Sequence, residues 1–253
     1  MTVKTNLAAG MLSVTFIAVS SPLLADDVQD MSDPLAVYTQ AGVGVTNKGL
    51  NIKLGNTYDT GNVDTMAMNI IEIKGFGADS LGLEGNDSIN SARFRNFKLD
   101  TTNGRGSQID ANWDFNTNTG NVSYSFIQAL PAIGPVQFYP LAGVGLTVTD
   151  SAEIRGQKSE IGSVGYAIPS SFAVIGTYSK ITLTDNIWLN YNPMYFTTFN
   201  DNEFMSDVMD GLYHELAASY QLNPRQNIRV FANYAATEMN DDWDWRLEFN
   251  HQF

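Results

Sequence analysis

The chain contains no cysteine, only two histidines (His214 and His251), and 14 Lys+Arg against 27 Asp+Glu in 253 residues. Without cysteine there is no disulfide framework, thiolate metal site, cysteine nucleophile or lipidated cysteine anchor. Two histidines leave little for an imidazole-rich metal centre. A formal net charge of -13 with pI near 4.3 excludes nucleic acid as the expected partner, because neutralising phosphates takes a surplus of Lys and Arg. Charged residues are scarce at 16%, yet aromatics reach 11% and there are 21 glycines, a composition unlike that of a disordered chain. Long apolar runs are missing too. Beyond residue 25 none approaches the roughly 18 residues that a membrane helix needs. A chain of this kind that crosses a membrane is left with one architecture, a closed barrel in which every backbone polar group is paired.

The first 25 residues read as an export signal. Lys4 supplies the positive end, Leu7 to Val19 (LAAGMLSVTFIAV) the apolar stretch, Pro22 a helix break and Ala25 a small residue at the expected cleavage point. An acidic leader follows over residues 26–34, carrying Asp26, Asp27, Asp30 and Asp33. The remainder, 26–253, reads as one domain.

From there the dominant periodicity is two, the signature of strands with unlike faces. In the last segment Trp243, Trp245, Leu247, Phe249 and Phe253 share one parity, while Asp244, Arg246, Glu248, Asn250 and Gln252 share the other. The same reading gives strands near 35–46, 48–59, 63–76, 90–101, 106–116, 120–130, 135–149, 171–183 and 185–199, with three more toward the C-terminus. That makes about twelve; 10 and 14 are the neighbouring even counts. Short connections (131–134, 184–186, 223–226) fall on one side and long ones (77–89, 150–170, 201–211) on the other, as for a barrel with short periplasmic turns and long outer loops. Two irregularities stand out. Apolar parity switches midway through Ser91 to Leu99, which predicts a bulge, and Pro140 and Pro193 lie inside strands, where a missing N–H is awkward.

Export signal, alternating strands of membrane length and a terminal strand ending Trp245, Leu247, Phe249, Phe253 on the greasy face together resemble the outer-membrane β-barrel proteins of Gram-negative bacteria, in the small porin-like size class. The resemblance implies an all-β, transmembrane, antiparallel up-and-down barrel in the outer membrane, in contact with lipid and lipopolysaccharide. It also implies that the terminal aromatic row is the signal read by the barrel-assembly machinery, after escort by periplasmic chaperones.

Parity then assigns the lumen. Lys53, Glu72, Lys74, Arg93, Arg95, Asp110, Asp114, Lys180, Glu215, Arg229, Asp244, Arg246 and Glu248 face inward. Gly42, Gly44, Gly143 and Gly145 leave room there; Tyr38, Tyr139, Tyr178 and Phe231 take it up. The expected activity is a small diffusion channel for polar solutes, with opposed charges setting a transverse field. Mixed signs speak against a channel dedicated to acidic sugars. The alternative is a non-conducting surface barrel serving adhesion, phage attachment or envelope stabilisation. A lipid hydrolase built on His214 is the third reading, but the outward neighbours expected for it are Thr197, Tyr195, Ala236 and Glu238, with no serine, so no enzyme is expected. No cofactor is expected either. The acids of the outer loops (Asp79, Glu84, Asp87; Asp201, Glu203, Asp207, Asp210; Glu238, Asp241, Asp242) allow at most weak Ca²⁺ or Mg²⁺ association.

Overall fold

The computed structural model describes residues 28–150, 165–199, 202–239 and 241–253. The expected export signal, Asp26, Asp27, Asp201 and most of the 150–170 connection lie outside the described residues. Twelve strands run β1 (Gln40–Thr46), β2 (Gly49–Tyr58), β3 (Thr65–Phe76), β4 (Ser91–Asp100), β5 (Arg105–Asp114) and β6 (Thr119–Gln128). They continue as β7 (Val136–Thr149), β8 (Ala167–Thr182), β9 (Ile187–Thr198), β10 (Gly211–Asn223), β11 (Gln226–Ala236) and β12 (Trp243–Gln252), with one short helix, α1 (Glu203–Met209), between β9 and β10. Each strand pairs antiparallel with the next, and β12 returns to β1 from Gln40↔Gln252 to Thr46↔Arg246, closing the barrel.

The barrel is apolar on its outside. Val144 (57% exposed), Ile175 (63%), Trp245 (45%) and Phe253 (52%) belong to a set of outward aliphatic and aromatic side chains contributed by every strand. Water-soluble chains rarely expose contiguous apolar patches beyond a few hundred Å², so a surface of this kind belongs against hydrocarbon. Its inward rows carry the polar residues instead: Glu72, Asn190, Asn192, Asn227 and Asn250 are all buried.

Both prolines fit, for different reasons. Pro140 lies just beyond the last β6–β7 pair, Ile127↔Leu141, so its missing N–H costs no bond on that edge. Pro193 interrupts a ladder: β8 and β9 pair as far as Gly176↔Met194 and resume at Ile181↔Leu189. Side chains bridge the gap. Asn190 Nδ2 donates to the Ser179 carbonyl at 2.8 Å, the Ser179 N–H donates to Asn192 Oδ1 at 3.1 Å, and Ser179 Oγ donates to the Tyr191 carbonyl at 2.6 Å. Backbone groups with no water to meet are thereby satisfied.

Two expectations need correction. The first strand begins at Gln40, not 35. Residues 28–39 form no strand; they fold into the mouth of the barrel at the end that carries the short turns 184–186 and 223–226, where Met31, Leu35 and Val37 are buried. The predicted bulge in β4 is also absent, since its pairings with β3 and β5 run unbroken from Ser91 to Asp100. Its apolar parity switches because Phe94 faces lipid whereas Phe97 and Leu99 face inward, in one cluster with Leu35 and Val37. The strand is regular; what changes along it is the neighbour inside the barrel.

A charge placed on the outward face tests the lipid assignment. Val144→Arg is expected to lower stability by about 2–4 kcal/mol, whereas Val63→Arg, in the β2–β3 turn and 98% exposed, should stay within about 0.5 kcal/mol. Urea titration of both variants in lipid vesicles measures the difference.

Candidate functional site: the lumen

The inward charges form a continuous belt. Register places Gly42, Lys53, Glu72 and Arg93 side by side across β1 to β4. Glu72 answers two cations, Lys74 at 2.8 Å and Arg95, while Asp110 on β5 pairs with Arg93. Glu248 on β12 likewise takes Lys53 at 3.5 Å and Arg246 at 3.2 Å, and Arg246 reaches on to Glu215 at 3.8 Å. Asn192 Nδ2 donates to Glu215 at 2.8 Å, carrying the network to β9. Burying charge is tolerable because every carboxylate in the belt has a cation beside it.

Arg229 is the exception. Among the described residues no carboxylate pairs with it; its guanidinium donates to Ser219 Oγ at 3.0 Å and Asn190 Oδ1 at 2.9 Å. The buried Phe231 ring takes both Arg229 (4.7 Å to the centroid) and Arg246 (3.9 Å) in cation–π contact, which offsets part of the cost of holding the two like charges near one another. The belt cations Lys53, Lys74, Arg93, Arg95, Arg229 and Arg246 thus outnumber the acids Glu72, Asp110, Glu215 and Glu248.

The opposite wall is uncharged. Asn121, Ser123 and Ser125 on β6 and Gly143 and Gly145 on β7 face inward there. The glycines do not open space as expected. A Cβ on Gly145 would stand 2.4 Å from the Phe172 ring, and one on Gly42 would meet Asn250 at 2.6 Å. Their role is to let neighbouring side chains lie flat on the wall. Of the other residues expected to line the pore, Asp114 sits at the outer rim and accepts from the Asn116 and Thr117 N–H groups, both at 2.9 Å; it holds a turn. Lys180 lies at the periplasmic end, 2.8 Å from Asp30.

Each end of the lumen is covered. At the outer end α1 turns Met205 and Met209 inward against Phe172, with Asn202 capping the helix and Asp210 accepting from the Thr198 N–H at 2.7 Å. Phe204, Met205, Val208 and Met209 recur at helical spacing, a signal present in a segment read as a solvated acidic loop. At the opposite end, where the short turns lie, residues 28–39 cross the mouth. Leu35 and Val37 share a cluster with Met68, Ile70, Phe97, Ile127 and Tyr139, on β3, β4, β6 and β7. Met31 meets Gln221 and Asn227 on β10 and β11, and Gln29 exchanges hydrogen bonds with the Gln252 side chain on β12, at 3.1 and 2.9 Å. Burial alone would raise the Asp30 carboxyl; hydrogen bonds from Lys180 and Ser32 and the Lys180 charge outweigh it and hold the group below its ordinary range. The pair therefore persists at neutral pH and weakens only as acid protonates Asp30.

His214 stands among aromatic side chains on the outer face of β10. Its register partners are Pro193 and Tyr234, not the Thr197, Tyr195, Ala236 and Glu238 expected, because β9 and β11 are each offset from that reading by an even number of residues, which keeps parity. Its Nδ1 lies 2.8 Å from the Tyr191 hydroxyl, and it stacks between Tyr191 and Tyr234 in a lipid-facing aromatic row. Among the described outer-loop acids, Asp87 binds Ser80 through its N–H and hydroxyl. Among the described residues no three His, Asp or Glu groups converge to hold a metal ion.

No family model matches the chain, and no curated protein matches it by sequence. Solved structures do. An outer-membrane channel from Pseudomonas putida F1 superimposes with a TM-score of 0.57 at 8% identity, over 91% of this chain and 100% of that one. The KdgM porin in complex with disordered oligogalacturonate gives 0.51 at 8% identity, covering 86% and 99%, and the NanC porin 0.51 at 8%, covering 85% and 98%. The chain has their fold. At such identity the likeness concerns architecture and carries no residue roles.

The belt makes Glu72 the most costly acid to remove, since both Lys74 and Arg95 lose their partner. Glu72→Ala is expected to destabilise the barrel by about 3–5 kcal/mol, and adding Arg95→Ala should recover part of that loss. Urea unfolding of the single and double variants measures the coupling.

Proposed function

We propose that this protein is a small porin-like diffusion channel for polar solutes in the outer membrane. The observation that carries the reading is the division of the inner wall: a paired ionic belt over β9 to β12 and β1 to β5 faces an uncharged strip on β6 and β7. A solute passing between them meets hydrogen-bonding groups on both sides and a field across its path. The porins and the channel that share the fold support this reading, as does the lipid-facing exterior. The outward row Trp245, Leu247, Phe249 and Phe253 suits recognition by assembly machinery after chaperone escort, and the apolar belt suits contact with lipid and lipopolysaccharide. We read the protein as a non-enzyme, because the hydroxyl beside His214 is the Tyr191 phenol of an aromatic row and not the serine that a lipid hydrolase would need.

A second reading has its own support. The leader and α1 cover the two ends, as in a barrel that conducts nothing and serves the envelope as a surface protein. Bilayer recordings separate the two readings.

Selectivity follows from where the charges sit. The outer loops are acidic but exposed, and at physiological salt their field decays over about 8 Å. Belt charges are partly desolvated and screened less, so their cationic surplus decides. Stepwise current with a modest preference for anions is expected, and Arg229→Gln should move the reversal potential toward cation preference. Absence of current from a folded, heat-modifiable barrel rejects the channel; an unchanged reversal potential in Arg229→Gln rejects the belt as its selectivity element.

A further inference from the structure

We propose that residues 28–39 are a resident gate: the segment closes the periplasmic end of the barrel in the conformation described above, and solutes pass when it leaves its socket. This rests on the channel reading and names the part that moves.

Three observations carry it. The segment spans the mouth, with contacts to inward residues of β3, β4, β6 and β7 on one side and of β8, β10, β11 and β12 on the other.

It is also outside every strand ladder of the wall. Its backbone-to-backbone bonds among the described residues are two internal turns, Asp33 N–H to the Asp30 carbonyl at 3.0 Å and Ala36 N–H to the Asp33 carbonyl at 3.1 Å, and one bond at its root, from the Phe253 N–H to the Thr39 carbonyl; the Gln29 backbone is held instead by the Gln252 side chain. The β1–β12 seam begins only at Gln40↔Gln252. Withdrawing the segment therefore breaks no strand ladder and leaves the barrel closed.

Finally, the attachments suit reversible seating. They are apolar contacts, side-chain hydrogen bonds to the Met31 thioether, the two bonds between the Gln29 backbone and the Gln252 side chain, and an ion pair whose Asp30 side chain is 61% exposed at the rim. Beside the segment lies an open vestibule of about 410 Å³, lined by Val28, Asp30, Met31, Lys180, Trp188 and Gln221 among others, which gives it room to swing. A permanent filler would be expected to join the sheet or bury its charge.

The absence of cysteine makes the test clean, because an introduced pair holds the only thiols. Gln29→Cys with Gln252→Cys places them where the Gln29 backbone now exchanges hydrogen bonds with the Gln252 side chain. The refolded full-length chain is recorded in planar bilayers, with heat modifiability as the check on folding. Oxidation of the pair should abolish openings and reductant should restore them. Removing residues 27–36 should raise the open fraction on the order of tenfold or more. Should that shortened chain fail to fold, Lys180→Met, which removes only the ion pair, should raise the open fraction about two- to fivefold. Current that is the same in oxidised, reduced and shortened proteins overturns the gate and leaves the channel standing. No current from any of them, with the shortened barrel folded, overturns the channel and the gate together.

Discussion

A strand in hydrocarbon has no water to answer its N–H and C=O groups, so each must bond to a neighbour on both edges. The pairing of β12 with β1 completes that requirement, and the rest of the molecule follows from it. Closure gives every strand an outward face that meets lipid and an inward face that does not. It also makes a break in any ladder expensive, which is why the one made by Pro193 is spanned by the side chains of Ser179, Asn190 and Asn192.

Closure further fixes a finite interior, and a barrel of this girth must fill it with side chains, water or another segment. Side chains and added segments share the task along the axis. Paired charges occupy the middle, with two guanidinium groups against Phe231. Apolar groups line both ends, where α1 and the leader cover them. The polar belt is thus confined to the stretch where no additional segment reaches, and a solute path would be narrowest where protein, not wall, occupies the axis.

Strand number, order, orientation and most boundaries were legible in the sequence because period-two alternation is imposed by the same lipid and lumen on every strand. The ionic belt was legible for the same reason: Lys53, Glu72, Arg93 and Glu248 share inward parity and meet. Which pairs formed was not, since pairing depends on register between strands, and parity leaves register free in steps of two. His214 shows the consequence, its true partners Pro193 and Tyr234 differing from those expected. The leader was missed for another reason. Leu35, Val37 and Thr39 alternate with Ala36 and Tyr38 as a strand would, and nothing local distinguishes a segment inside a barrel from one in its wall. The distinguishing sign lay 60 residues away, in the parity switch of β4 between Phe94 and Phe97.

That switch has a physical meaning of its own. Met66, Met68, Ile70, Phe97 and Leu99 form an apolar patch on the inward face of β3 and β4 beneath the leader. Wetting it costs free energy at about 25 cal/mol per Å², so the seated leader is favoured by the wall it covers as well as by the Asp30–Lys180 pair. The other wall of the same mouth is polar, with Gln221, Asn227 and Gln252 bonded to the leader. Withdrawing the leader would therefore wet an apolar side at a cost while returning hydrogen-bonding groups to water on the other, and it is the apolar side that holds the segment seated.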